Sequence, residues 1–236
     1  MTEGWPLIPR EVFPAPVPAV RRRPLPRPSP ADAGRQLAFF AAETSEPAPG
    51  DLVGLLAGPG RLGRMGGTAR VSVEVDAAWR VHVLVAELIA RGLAASWRPL
   101  EAHQQEVGDD AADPAEALGS RPRFEVLTAY SRRLNGLARG WPQAAAQLFL
   151  SGPRLRLWTA AAGAPAAGGY SLGLDPDKDP AAIDAALVRA GLAGKFADGG
   201  RHYLIMGKGR LRLLAELVGE RPLAAPAELW PGGAGA

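Results

Sequence analysis

Arg154 and Arg156 alternate with Leu155 and Leu157, a period of two that predicts a strand over Arg154–Thr159. In a strand both guanidinium groups would project from one face and the leucines from the other. A guanidinium fork matches phosphate oxygens and the edge of guanine, so this spacing points to contact with a polyanion. Arg61 and Arg64 begin another predicted strand, and Arg70, Arg98, Arg123 and Arg201 fall in strand segments of the same kind. Gly207-Lys208-Gly209-Arg210 reads as a strand-to-helix turn, with Lys208 and Arg210 placed for a phosphate at a helix start. Of the 27 cations only Lys178, Lys195 and Lys208 are lysines. That bias suits phosphate recognition, and it also follows from a GC-rich genome, since alanine, glycine and proline are abundant.

Other chemistries have less support. Asp109, Asp110 and Asp113 form a loop cluster that reads as solvated. Asp175, Asp177 and Asp179 alternate with Pro176 and Lys178 like part of a calcium loop, but the loop's glycine and closing glutamate are absent, so they read as turn and cap residues. His82, His103 and His202 are far apart, and none has a nucleophile at motif spacing. Gly66-Gly67 lacks the lysine and hydroxyl residue of a phosphate-binding loop. With no cysteine there are no disulfides, thiolate metal sites or thiol nucleophiles. No metal and no cofactor are expected. The longest apolar stretch, Val81–Ala95, is broken by Glu87 and Arg91, and the proline-filled N-terminus has no signal-peptide core. A soluble, cytoplasmic protein without membrane contact is expected.

Composition breaks divide the 236 residues. Residues 1–33, with nine prolines between positions 6 and 30 and the cluster Arg21-Arg22-Arg23, predict an extended Pro/Arg-rich tail. Residues 34–140 and 141–221 predict two copies of one pattern: helix, strand pair, helix, strand pair, helix. In the first copy a helix Asp51–Ala57, with Asp51 as cap, precedes strands at Arg61–Gly66 and Ala69–Val75. Asp76 then caps a helix to about Arg91 that presents Trp79, Val83, Ala86 and Ile89 on one side. An acidic loop, residues 107–122, interrupts this copy. The second copy begins with a helix Pro142–Leu150. Residues 222–236 predict a flexible tail in which Leu229 and Trp230 could dock.

Leu52-Val53-Gly54-Leu55-Leu56-Ala57-Gly58-Pro59-Gly60 resembles, letter against letter, the LAGLIDADG helix of homing endonucleases. A fainter copy ends in Leu148-Phe149-Leu150-Ser151-Gly152. In that family the last acid of the motif ligates the catalytic metal, and here Pro59 and Ser151 stand in its places. Within the superfamily the chain most resembles the N-terminal half of the WhiA sporulation-regulator family, in the motif helix ending in glycine, the strand leading to Asp76 and the Arg123 strand. The resemblance covers roughly residues 50–221. It implies an α+β fold of tandem pseudo-twofold repeats, whose motif helices approach through Gly54 and Ala146. Two four-stranded antiparallel sheets would form a saddle over the DNA major groove, with the leucine faces on the helices and the arginine faces on the duplex. The implied function is a non-enzymatic, DNA-binding transcriptional regulator, partnered by double-stranded DNA and a regulatory protein. A protein-interaction module on the same scaffold and a nuclease with relocated acids are the alternatives. WhiA proteins also carry a C-terminal helix-turn-helix domain, which is not expected here, so promoter specificity is not implied.

Overall fold

Alternation in Thr68–Val75 sets the first sheet: Ala69, Val71, Val73 and Val75 are buried, and Arg70, Ser72 and Glu74 lie between them on the opposite face. The computed structural model describes residues 41–100, 122–142 and 147–233. Strands β1 (Arg61–Met65), β2 (Thr68–Val75), β3 (Ala95–Leu100) and β4 (Arg123–Thr128) form an antiparallel sheet in the order β1-β2-β4-β3. Strands β5 (Gly163–Ala166), β6 (Gly169–Gly173), β7 (Gly194–Ala197) and β8 (His202–Met206) form a second one in the matching order β5-β6-β8-β7. Helix α2 (Ala78–Ala90) crosses between the two hairpins of the first sheet, and α5 (Pro180–Arg189) does the same in the second. The expected α+β architecture with two four-stranded antiparallel sheets is therefore present.

The helices between the sheets differ from expectation at one decisive point. Helix α1 (Val53–Ala57), entered through a 3-10 turn over Pro49–Leu52, is the first motif helix as read. Its counterpart is not Pro142–Leu150. It is the helix α4 (Gly152–Ala162), which follows α3 (Asn135–Gly140) and covers the stretch expected to be a strand. Ser151 stands at its start as the N-cap position, Pro153 lies in its first turn, and Gly163 ends it. Leu155, Leu157, Trp158 and Thr159 are all fully buried, because α4 packs against α1, α2 and α6 (Lys208–Val218). A helix buried on all sides shows no 3.6-residue stripe, and the Arg-Leu-Arg-Leu alternation is then free to mimic a strand.

Gly54 faces the backbone of Arg154, where an added Cβ would stand 1.9 Å from the carbonyl oxygen. Glycine thus permits the close approach expected of the motif, against α4 and not against Ala146, which lies outside the described residues. The expected acidic loop (apart from Pro122), the tail over 1–33, and His103, Asp109, Asp110 and Asp113 also lie outside them.

Helix α2 buries Arg80, Val81, Val83, Leu84 and Leu88, so its inner stripe is rotated from the one read in the sequence; Ala86 and Ile89 are exposed. Asp76 does not cap α2 but pairs with Arg80, 2.9 Å away. Asp51 accepts the Ala48 amide hydrogen and an ion pair from Arg91. The C-terminal segment docks as far as Trp230, which is buried and donates its indole N–H to the Gly219 carbonyl. Replacement of Gly54 by alanine is expected to force α1 and α4 apart and to cost on the order of 3 kcal/mol of stability. Urea denaturation of the variant checks this; a loss under about 1 kcal/mol would contradict the close-approach account.

Candidate nucleic-acid interface

The face of the first sheet turned away from the helices gathers four of the sequence-predicted arginines. The register places Arg61 opposite Ser72, Gly63 opposite Arg70, and Arg98 opposite Glu125. By the parity of the pleat, Arg61, Arg70, Arg98 and Arg123 project outward together with Glu74 and Glu125. Arg98 binds Glu125 at 2.6 Å, and Arg123 hydrogen-bonds Glu74, whose carboxylate is also 3.7 Å from Arg61. The side chains of Arg61, Arg98 and Arg123 stay 63–68% exposed, so these pairs are open to water and to exchange for another anion. Arg70 lies over the ring of Tyr130, 4.9 Å from its centre.

The remaining predicted cations are placed otherwise. Arg64 turns to the helix side, where its guanidinium donates to the carbonyls of Ala138 and Trp141 at the end of α3. Arg154 and Arg156 do not share a sheet face, because they lie on α4. Arg154 donates to the Phe149 carbonyl. Arg156 binds Glu87 at 2.6 Å and the carbonyls of Val218, the last residue of α6, and Glu220 just beyond it, and it lies over the Trp230 ring. Orphan carbonyls at helix ends attract such donors. Arg201 is exposed in the turn before β8, and Lys208 and Arg210 are exposed in the first turn of α6. These three stand at the ends of a strand and a helix, outside the sheet face.

Sequence reasoning missed two buried arginines. Arg80 reaches from α2 to the end of α4, donating to the carbonyls of Ala160 at 3.1 Å and Gly163 at 2.8 Å. Arg91, with a side chain only 1% exposed, is held between Asp51 and Glu87. Their one available signal was position: each sits at helical spacing on the apolar side of α2. Burial alone would raise the Glu87 carboxyl, but Arg156 and Arg91 outweigh burial and hold it below its ordinary 4.5.

At the end of α1 a cleft of about 330 Å³ opens beside Pro59, between Glu74 and Glu125 of the first sheet and Asp175 and Asp177 of the loop after β6. Arg61 spans it to Asp175 at 3.4 Å. Lys178 donates to the Gly60 carbonyl at 3.0 Å; burial lowers its ammonium below the ordinary lysine range, and Asp175 pulls it partly back up. The family resemblance implies a metal held by one carboxylate from each motif-helix end. Before the glycines that end the two motif segments stand Pro59 and Ala162, and Ser151 is at the opposite end of α4 from Ala162. Neither Pro59 nor Ala162 has a side-chain donor. Among the described residues no group of three or more His, Cys, Asp or Glu is arranged to hold a metal ion. The residues present do not fit that metal pair.

No family model matches the chain, and no curated protein matches it. Solved structures do. The homing endonuclease I-WcaI bound to its DNA recognition sequence is similar with a TM-score of 0.50 at 10% identity, over 76% of this chain and 84% of that one. A mesophilic variant of the homing endonuclease I-DmoI gives a TM-score of 0.44 at 10% identity, over 73% of this chain and 96% of that one. I-DmoI in complex with DNA and Mn gives 0.41 at 11% identity. These neighbours are LAGLIDADG homing endonucleases, and the chain has a LAGLIDADG-like fold. The sequence-based expectation of a non-enzyme is corrected here: the solved neighbour that shares the fold is a homing endonuclease. Among the described residues no helix is long and apolar enough to cross a membrane.

Two kinds of arginine follow from this geometry, and stability measurements separate them. Arg156→Ala, which strands Glu87 and two carbonyls, is expected to cost about 2–3 kcal/mol in urea denaturation, and Arg64→Ala, whose exposed side chain water can replace, about 1 kcal/mol. Arg98→Ala and Arg123→Ala are expected to change stability by less than about 0.5 kcal/mol. Because the folded Glu87 carboxyl is held below its unfolded value, its contribution is present above about pH 4.5 and is lost as pH falls through the folded value. The stability gap between wild type and Glu87→Gln should therefore shrink below pH 4.5; a gap that stays constant down to pH 2.5 would contradict the assignment.

Proposed function

We propose that this chain binds double-stranded DNA through the outward face of β1–β4, and that it does so as a transcriptional regulator of the kind its sequence resembles. The observation that supports the reading is the convergence of Arg61, Arg70, Arg98 and Arg123 on one exposed sheet face. The two central strands, β2 and β4, make an antiparallel ribbon, an element that a B-form major groove about 12 Å wide admits. Its arginines can donate to phosphates or to guanine, and Glu74 and Glu125 can accept from the amino group of cytosine. The neighbour bound to its DNA recognition sequence adds support at the level of fold.

Phosphate contact releases counterions, so binding should weaken steeply with salt. With about four cations engaged, affinity for a duplex should fall roughly 100-fold between 50 and 200 mM salt. Fluorescence anisotropy measures this, together with an Arg98→Ala/Arg123→Ala double variant, which should lose most of the 50 mM affinity. Absence of binding by wild type at 50 mM salt would overturn the proposal. The regulatory part is checked by chromatin immunoprecipitation: enrichment upstream of transcription units is expected, and uniform coverage would contradict it.

A further inference from the structure

The two sheets repeat one topology, but their outward faces carry different chemistry. In the second sheet Ser171 pairs with Leu204, Gly169 with Met206, and Lys195 with Leu204. Parity therefore turns Ser171, Leu204, Met206, Lys195 and His202 outward. Among the described residues the charged or titratable side chains of that face are Lys195 and His202, and His202 is shared between the Ser171 hydroxyl at 3.1 Å and Asp198 at 3.9 Å. The first sheet presents four arginines in the equivalent area, beside the glutamates Glu74 and Glu125 that they can exchange for phosphate. Backbone symmetry is not accompanied by charge symmetry.

Resting on the DNA-binding reading above, we propose that the duplex is held by the first sheet alone, in a one-sided complex, and that the second sheet's outward face is not a DNA contact. Electrostatic affinity counts the cations that meet phosphates. A face with one lysine, small residues and Leu204 and Met206 gains little from a polyanion, and it would strip water from phosphates without replacing their hydrogen bonds. The eight residues of β2 span about 27 Å at roughly 3.4 Å each. That length matches about 8 base pairs of one strand's phosphates, half of what a symmetric saddle would cover.

Anisotropy titrations on 12-bp and 24-bp duplexes, with affinities divided by the number of available registers, test the contact length. Wild type should bind the two within threefold of each other. A Lys195→Ala/His202→Ala variant should match wild type within twofold and keep its salt dependence, while Arg98→Ala/Arg123→Ala should lower the slope of log affinity against log salt by about two. Thermal melts followed by circular dichroism confirm that both variants fold. A per-register gain above tenfold on the longer duplex, or a reduced slope in the Lys195→Ala/His202→Ala variant, would overturn the one-sided complex while leaving DNA binding intact. Absence of binding to either duplex would instead remove the DNA reading, and this inference with it.

Discussion

The close contact between α1 and α4 is the constraint on which the rest depends. Gly54 lets the backbones of the two helices touch, and Trp158 fills the space beside Gly58 while donating to the Gly173 carbonyl. Each helix then hands the chain directly to a hairpin: α1 to β1–β2 and α4 to β5–β6. The relation between the two sheets is therefore fixed where the helices meet. A side chain at Gly54 would act on both sheets through that single point.

Arginine serves this fold in two ways that its sequence does not distinguish. Arg80, Arg91 and the half-buried Arg156 satisfy carbonyls and carboxylates inside the fold, where an unpartnered acceptor would be costly, and the exposed Arg64 does so at the end of α3. Arg61, Arg70, Arg98 and Arg123 stand on an open sheet face, where pairing with glutamate is weak and reversible. Arginine abundance is thus partly structural. Phosphate recognition has to be argued from the second group alone.

Much of the fold was legible in the sequence. Strict alternation marks β2 and β4, and glycine marks the ends of α1 and α6. Arg61, Arg70, Arg98 and Arg123 lie on strands as read, and the pairing register brings them to one face, where they remain the candidate interface. The second motif helix was not legible. Its enclosure removes the amphipathic stripe, and Leu148–Gly152, a weaker likeness to the motif, lies just ahead of it. With α4 misread as a strand, Arg154 and Arg156 were assigned to a sheet face that neither one occupies. The inner stripe of α2 was also misplaced: arginine is seldom buried unless paired, and only the distant carbonyl and carboxylate partners of Arg80 and Arg91 show that they face inward. Likewise, the fold shared with homing endonucleases, and not any single motif residue, corrected the expectation about catalysis.

Ser72 and Ser171 occupy equivalent outward positions on β2 and β6, which makes them matched reporters of what each face touches. The most direct measurement is photo-cross-linking to a labelled duplex from a benzophenone side chain installed at each position in turn. Contact through the first sheet predicts a DNA adduct from position 72 and none from position 171. Absence of an adduct from position 72, with wild-type affinity retained, would contradict the account.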